Sequence, residues 1–447
     1  MQVYFVSLGC DKNLVDSEYM LGLLRDAGHT LTEDEAEAEA IVINTCCFIH
    51  DAKEESIETI LEAASYKDEE NGCCRVLIVT GCLAERYRSE ITESIPEVDA
   101  ILGTASFDEI VQAIAKAEAG EKTEVYKALT YLPLPEAKRI NTTCGYTAYL
   151  KIADGCEKFC TYCVIPSIRG KYRSVPMERI LSEAEQLAAD GAKELILVAQ
   201  ETTLYGVDLY GKKMLPELLR KLCAIEGPEW IRLLYCYPEE ITDELIAVMK
   251  EEKKICRYLD LPIQHASDTV LKRMRRKYTM EFFAERLEKL KIALPDLAVT
   301  SDVIVGFPGE TEEEFLETYN FIRDHKFSEL HVFPYSQRTG TPAARMDDQV
   351  DEEVKNERVH RLIALNDQLA KEYASRFEGE VLEVIPEERF KDGEGENLYV
   401  GYTTNYLKII FEGTEDMIGQ LTKVKITKAG YPYNEGQFVR VLEEQNN

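Results

Sequence analysis

The sequence predicts an α/β chain in three parts: an N-terminal open parallel α/β sheet, a central partial (β/α)6 barrel and a small C-terminal all-β barrel. Three observations lead there. At 447 residues the chain is too long for a single core. Up to about residue 375, strand-like and helix-like stretches alternate, as βα units around parallel sheets do. From Glu378 onward the hydrophobic period falls to two, with turn residues between short runs.

Within residues 1–130, "QVYFVSLG", "AIVINTC" and "CRVLIVTGC" read as buried strands. "DSEYMLGLLRDAG" reads as an amphipathic helix closed by a glycine, and "KEESIETILEAASYK" and "FDEIVQAIAKAEA" as further helices. "TYLPLPEAKRINTTCG", with two prolines, reads as a linker. Residues 142–375 offer six strands: "AYLKIAD", "ELILVAQ", "WIRLLYC", "CRYLDLP", "LAVTSDVIVG" and "LHVFPY". Helical stretches such as "MERILSEAEQLAAD" and "EEEFLETYNFIRDH" separate them, which suggests a barrel with its chemistry at the strand C-termini. Residues 378–447 hold "GEVLEVIP", "LYVGYTT", "YLKIIFEG", "LTKVKITKAG" and "QFVRVLEE", five short strands.

No apolar run reaches the length of a membrane span, and "MQVYFVSLGC" lacks a basic leader, so a cytoplasmic location is expected. The formal charge of −30 repels nucleic acid unless a local basic patch overrides it, and favours a basic partner. Thirteen cysteines in such a chain point to metal or redox chemistry rather than disulfides.

"DGCEKFCTYCVIP" places Cys156, Cys160 and Cys163 on a loop after the first barrel strand. A structural zinc usually takes four ligands, and a disulfide cannot use three cysteines. A four-iron cubane held by three thiolates keeps one iron open to a substrate molecule. This C-x3-C-x2-C loop, with Tyr162 ahead of its last cysteine, resembles that of the radical S-adenosylmethionine superfamily. The resemblance implies a 4Fe-4S cluster on Cys156, Cys160 and Cys163, the catalytic centre, whose open iron chelates S-adenosyl-L-methionine and cleaves it to a radical. It also implies cofactor contacts at Tyr162, at Gln200 in "VAQETT", at Gln264 in "LPIQHASD", at Arg276 in "MRRKYT" and at Gly306 in "SDVIVGFPGET". Taken alone, "GFPGE" could be only a loop and Arg276 only a surface charge.

Cys10, Cys46 and Cys82 each end an expected strand, in "VSLGC", "VINTC" and "VTGC". Parallel strands deliver their C-terminal ends to one rim, so these three should meet in space. The bland alternative is that cysteine is a common buried residue at strand ends. Cys47, Cys73 and Cys74 are spare thiols, and Cys47 should point elsewhere. With "SLGCDKNLVDSE", "INTCCFI" and "TGCLAERY", the whole chain resembles the methylthiotransferases, which join a cluster domain, a radical core and a small TRAM barrel. That resemblance implies a second 4Fe-4S cluster with Cys10, Cys46 and Cys82 as metal ligands, carrying the sulfur to be inserted. It implies two S-adenosylmethionine molecules per turnover, one donating a methyl group and one a radical that takes hydrogen from an unactivated C–H bond. The chain departs from the pattern of the family's ribosomal-protein-modifying branch at Asp11, where proline is usual, and at Cys47, where glycine is usual. His265 is expected to be structural.

The family modifies either adenosine derivatives in transfer RNA or the β-carbon of an aspartate in small-subunit ribosomal protein twelve. Residues 378–447 carry fourteen acidic against seven basic residues, a net of −7, the reverse of what an RNA-binding barrel needs. "AQETTLYGVDLYG" and "LLYCYPEEITDELI" also resemble the protein-modifying branch. The expectation is an aspartate methylthiotransferase acting on that ribosomal protein, with transfer-RNA methylthiolation as the alternative and a non-catalytic iron–sulfur carrier as a third reading. An electron donor such as flavodoxin or ferredoxin is implied, no membrane partner, and a monomer. Aromatic residues of the tail, Tyr402 and Tyr406 among them, read as packing rather than base-stacking.

Overall fold

The computed structural model describes residues 1–391 and 397–439. Ala40–Thr45 and Val76–Gly81 are buried along their whole length, as strands at the centre of a doubly covered parallel sheet must be. Around them the N-terminal sheet runs Thr30–Leu31, Gln2–Ser7, Ala40–Thr45, Val76–Gly81, Ala100–Leu102, Thr123–Val125, with every pair parallel. Three of these strands are only two or three residues long, too short to carry a hydrophobic period. Helices Asp11–Asp26 and Ile110–Glu118 bury Val15, Met20, Leu24 and Ile114 on one face, and helix His50–Ser65 buries Ile60 and Ala63 on the other.

The central strands form two parallel triplets. One has the order Trp230–Leu233, Glu194–Val198, Thr147–Lys151, and the other Tyr258–Asp260, Ala298–Val305, Glu329–Pro334. They meet at an isolated bridge between Ile231 and Ile255, and the Cys236 N–H donates to the Asp260 carbonyl at 3.0 Å. Among the described residues no ladder joins Thr147–Lys151 to Glu329–Pro334, so the barrel is partial. Helix Asp11–Asp26 lies against Thr147–Lys151, where Asp16 pairs with Lys151.

The C-terminal barrel is closed in the order Val381–Arg389, Leu398–Thr403, Lys408–Glu412, Asn434–Phe438, Thr422–Lys428. The expected last strand "QFVRVLEE" is displaced: the observed one ends at Phe438, and residues 440–447 lie outside the described residues. Val384, Ile409, Phe411 and Val424 share a core with Tyr146, Trp230, Cys256, Tyr258 and Ala298, at the N-terminal ends of four central strands. Arg232, with 0% of its surface exposed, donates to Glu194 Oε1 at 2.7 Å, to the Thr404 carbonyl at 3.1 Å and to the Thr403 carbonyl at 3.3 Å. Its guanidinium also stacks over the Tyr406 ring at 4.3 Å. The small barrel therefore stops the N-terminal mouth of the large one and leaves the opposite rim for chemistry. Among the described residues no helix is long and apolar enough to cross a membrane.

Candidate active site

The loop bearing Cys156, Cys160 and Cys163 leaves the C-terminal end of the first central strand and is fixed by its own backbone. The Cys156 N–H donates to the Gly170 carbonyl at 3.0 Å, the Cys163 N–H to the Cys160 carbonyl at 3.0 Å, and the Thr161 N–H to the Met274 carbonyl at 3.1 Å. Gly155 has φ +79°, and a Cβ there would strike the Lys171 carbonyl, so only glycine fits. The Ile165 N–H donates to Cys163 Sγ at 3.4 Å. Burial pushes the Cys156 thiol up to about 12, with Cys163, Cys160 and Glu201 adding to the rise. Burial likewise takes Cys163 to about 11, reinforced by Cys160. The three thiols thus lie within electrostatic reach of one another, and metal binding would release the protons of those that carry them.

On the same rim, Arg276 and Gln200 carry buried polar atoms without partners. The Arg276 guanidinium lies 4.5 Å from the Tyr237 ring and donates through Nη2 to the Pro262 carbonyl at 2.7 Å; its buried Nε has no acceptor. Cys160 and Tyr162 are among its electrostatic neighbours. Gln200 carries a buried Oε1 without a partner. Gln264 has φ +65°, held by its N–H to the Asp302 carbonyl at 2.9 Å and by the Ile304 N–H to its own carbonyl at 2.7 Å. Gly306 has φ +70°, and the space a side chain would need is filled by the stem of Lys355. Its glycine therefore serves helix packing as well as the loop.

One feature of this rim has no marker in the sequence. Lys158, between the cysteines, bonds Glu240 at 2.6 Å, Glu239 at 3.2 Å and Glu201 at 3.4 Å. Burial pushes Glu201 up to about 7, with Lys158 opposing the rise and Glu240 and Glu239 adding to it. Glu201 directly follows Gln200, so the strand-end position was legible while the carboxylate that meets the loop was not.

The N-terminal sheet brings its own three cysteines to one edge. Cys10 is the N-cap of helix Asp11–Asp26, Cys46 follows Ala40–Thr45 directly, and Cys82 opens the short helix Cys82–Arg86. Gly9 has φ +91°, and a Cβ there would lie 2.7 Å from Cys46 Cβ and 2.9 Å from Cys46 Sγ, so the glycine lets the Cys10 and Cys46 segments touch. Burial pushes Cys82 up to about 12, against the pull of Arg169, with Cys10, Cys47 and Cys46 as the further contributors. The Ser56 hydroxyl accepts the Cys46 N–H at 3.0 Å and donates to its carbonyl at 2.9 Å. The Cys47 Sγ donates to the Cys82 carbonyl at 3.3 Å, so this spare thiol lies beside the set rather than remote from it. Cys73 and Cys74 lie before Val76–Gly81, at the opposite end of the sheet, bonded to the Ala38 and Val76 carbonyls. All thirteen cysteines are free of disulfides.

Charged side chains close the junction between the two cysteine-bearing rims. Arg169, six residues after Cys163, donates Nη1 to Asp16 Oδ2 at 2.6 Å and to Asp154 Oδ2 at 3.3 Å, and Nη2 to Asn13 Oδ1. Although burial opposes its charge, Arg169, Lys151 and Arg173 hold the Asp154 carboxyl at about 2. The Cys82 and Cys10 thiols are electrostatic neighbours of the same guanidinium. On the other flank Arg338 donates to the Tyr162 carbonyl at 3.4 Å, stacks over Phe48 at 4.2 Å and neighbours Cys163. Phe48 lies two positions after Cys46. His265 is fully buried, within 3.0 Å of Thr318 Oγ1 and 3.4 Å of Glu310, beneath the rim.

The Radical SAM superfamily matches residues 150–322, and the uncharacterized protein family UPF0004 matches residues 2–103. The chain is 55% identical over 435 residues to a protein of Lachnoclostridium phytofermentans named ribosomal protein uS12 methylthiotransferase RimO, covering 96% of this chain and 98% of that one. It is 52% identical over 448 residues to a Bacillus subtilis protein named threonylcarbamoyladenosine tRNA methylthiotransferase MtaB, covering 99% and 97%. Among solved structures, the radical S-adenosylmethionine methyltransferase TsrM of Kitasatospora setae, with cobalamin and a [4Fe-4S] cluster bound, superposes with a TM-score of 0.56. At 14% identity over 77% of this chain and 74% of that one, the likeness is one of fold.

Proposed function

Because the chain belongs to the methylthiotransferase family of radical S-adenosylmethionine enzymes, we propose that it inserts a methylthio group at the β-carbon of an aspartate in ribosomal protein uS12. The observation that carries this reading is the second cysteine set, gathered on the sheet edge that faces the central barrel. We assign Cys156, Cys160 and Cys163 to one 4Fe-4S cluster and Cys10, Cys46 and Cys82 to another. The donor chemistry fits: each set offers three soft thiols and leaves one iron without a protein ligand. When bound, the clusters and S-adenosylmethionine supply the electron, the abstracting radical and the methylthio sulfur.

The protein's own groups bind, orient and shield. The free Arg276 Nε and Gln200 Oε1, a buried donor and a buried acceptor, are suited to hold the polar ends of S-adenosylmethionine. Tyr162 and Tyr237 both neighbour Arg276 and Cys160, and Gln264 and Gly306 follow strands Tyr258–Asp260 and Ala298–Val305. The Arg169 and Arg338 contacts fix the distance between the two rims, which a transfer between two centres requires. A small redox protein of the flavodoxin or ferredoxin type would supply electrons.

One feature favours the protein substrate: residues 378–447 carry a net charge of −7, the reverse of what an RNA-binding barrel needs. The 52% relative named for transfer RNA supports the second reading, methylthiolation of an adenosine derivative. Anaerobically reconstituted enzyme, reductant and S-adenosylmethionine, offered a uS12 peptide and transfer RNA in parallel, should add a methylthio group to the peptide. Modification of the RNA alone would overturn the proposal.

A further inference from the structure

Lys12 is a buried cation at the domain junction with a single carboxylate as its ion-pair partner among the described residues. It is 6% exposed, pairs with Asp11 Oδ1 at 2.8 Å, and holds its ammonium 3.2 Å from the centre of the Tyr235 ring. An ammonium carries three N–H groups, and among the described residues Asp11 is its one ion-pair partner. The Asp11 side chain is 7% exposed; its Oδ1 also accepts the Tyr235 hydroxyl at 3.2 Å, while its Oδ2 is buried without a partner. Burying a charge with unused donors is unfavourable, so such a site is completed by something that brings acceptors. Arg169 differs, since Asp16, Asp154 and Asn13 already take its N–H groups.

The position is as informative as the unused capacity. Lys12 comes from the N-terminal side, two residues after Cys10. Tyr235 comes from the other side, just beyond Trp230–Leu233 on the active rim. Its φ of +57° lies in a region that residues with side chains rarely adopt. Its N–H bonds Asp260 Oδ2 at 3.1 Å, and its carbonyl accepts the Thr202 N–H at 3.0 Å. Backbone strain thus serves to hold this ring under the ammonium.

We infer that Lys12 is the seat of the substrate's carboxylate, an incoming aspartate side chain taking the N–H groups that Asp11 leaves free. The inference rests on the reading of a protein aspartate as substrate. In that side chain the carbon to be modified is bonded directly to the carboxylate carbon, so a cation fixed beside Cys10 places it between the two cysteine sets. Asp11 keeps the ammonium aimed while the seat is empty and gives way to the substrate's carboxylate.

The test uses the cluster-loaded full chain and two uS12 loop peptides, one with the target aspartate and one with asparagine in its place. Fluorescence anisotropy should show the aspartate peptide bound at least about ten-fold tighter, the scale of a charge-assisted contact. Lys12→Met should erase that preference with iron content unchanged, Lys12→Arg should restore part of it, and Asp11→Asn should enlarge it. A Lys12→Met protein with full iron that keeps the preference overturns the inference. Should that variant lose iron, Asp11→Asn decides: an unaltered preference overturns the inference equally. Wild-type enzyme that modifies the peptide but binds both forms alike sinks the carboxylate seat and leaves the proposed function standing. Modification of transfer RNA alone removes both.

Discussion

Replacing Arg169 by methionine removes the guanidinium on which two domains close. Its Nη1 lies 2.6 Å from Asp16 and 3.3 Å from Asp154. At an effective dielectric constant of about 20 those contacts are each worth about 5–6 kcal/mol of Coulomb attraction, most of it offset by stripping water from the charges. Breaking a buried pair usually costs about 3–5 kcal/mol because the partner is left stranded. Here Lys151, paired with Asp16, and Arg173, 3.8 Å from Asp154, remain to serve both carboxylates. The loss should therefore sit at the low end, about 3 kcal/mol, in urea unfolding of the cluster-free protein followed by circular dichroism. A double-mutant cycle with Asp16→Asn should give a coupling of about 2 kcal/mol. Because the Cys10 and Cys82 thiols neighbour the same guanidinium, the variant should be weakened further once metal takes their protons. A loss below about 1 kcal/mol, or no coupling to Asp16, would refute the idea that this contact clasps the domains.

Cys46→Ala should lower the iron content of anaerobically reconstituted protein from about eight per chain to about four, whereas Cys47→Ala should leave it unchanged. The opposite result would move the ligand from Cys46 to its neighbour. Glu387 is pushed up to about 7 by burial and by Glu194, with Arg232 opposing. A carboxyl raised in the folded state stabilises fully below its unfolded value near 4.5 and loses that contribution as pH rises through 7. Stability should thus fall by about 2–3 kcal/mol between pH 5 and pH 8, and Glu387→Gln should flatten the decline. An identical slope in the variant would remove Glu387 from the account.

What could be read from the chain alone follows from how local each signal is. Ala40–Thr45 and Val76–Gly81 are legible because an unbroken apolar run has few other uses. Thr123–Val125 is not, since three residues carry no period. The loop of Cys156, Cys160 and Cys163 is legible because its members are neighbours in sequence. Cys10, Cys46 and Cys82 are legible only through the rule that parallel strands end on one rim. Arg169 left no mark, and Lys12 and Tyr235 lie in quoted motifs without any sign that the two would meet. A buried arginine looks like a surface one until its partner is known, and Asp16 lies 153 positions away. At Gly306 the motif suggests a cofactor contact, while the φ of +70° and the Lys355 stem favour glycine for packing reasons that no local pattern reveals.

The contact of Arg232 and Tyr406 ties the small barrel to the base of the central strands. A substitution that loosened it would be felt as a loss of docking between the two barrels, at the strand ends away from the cysteine-bearing loop.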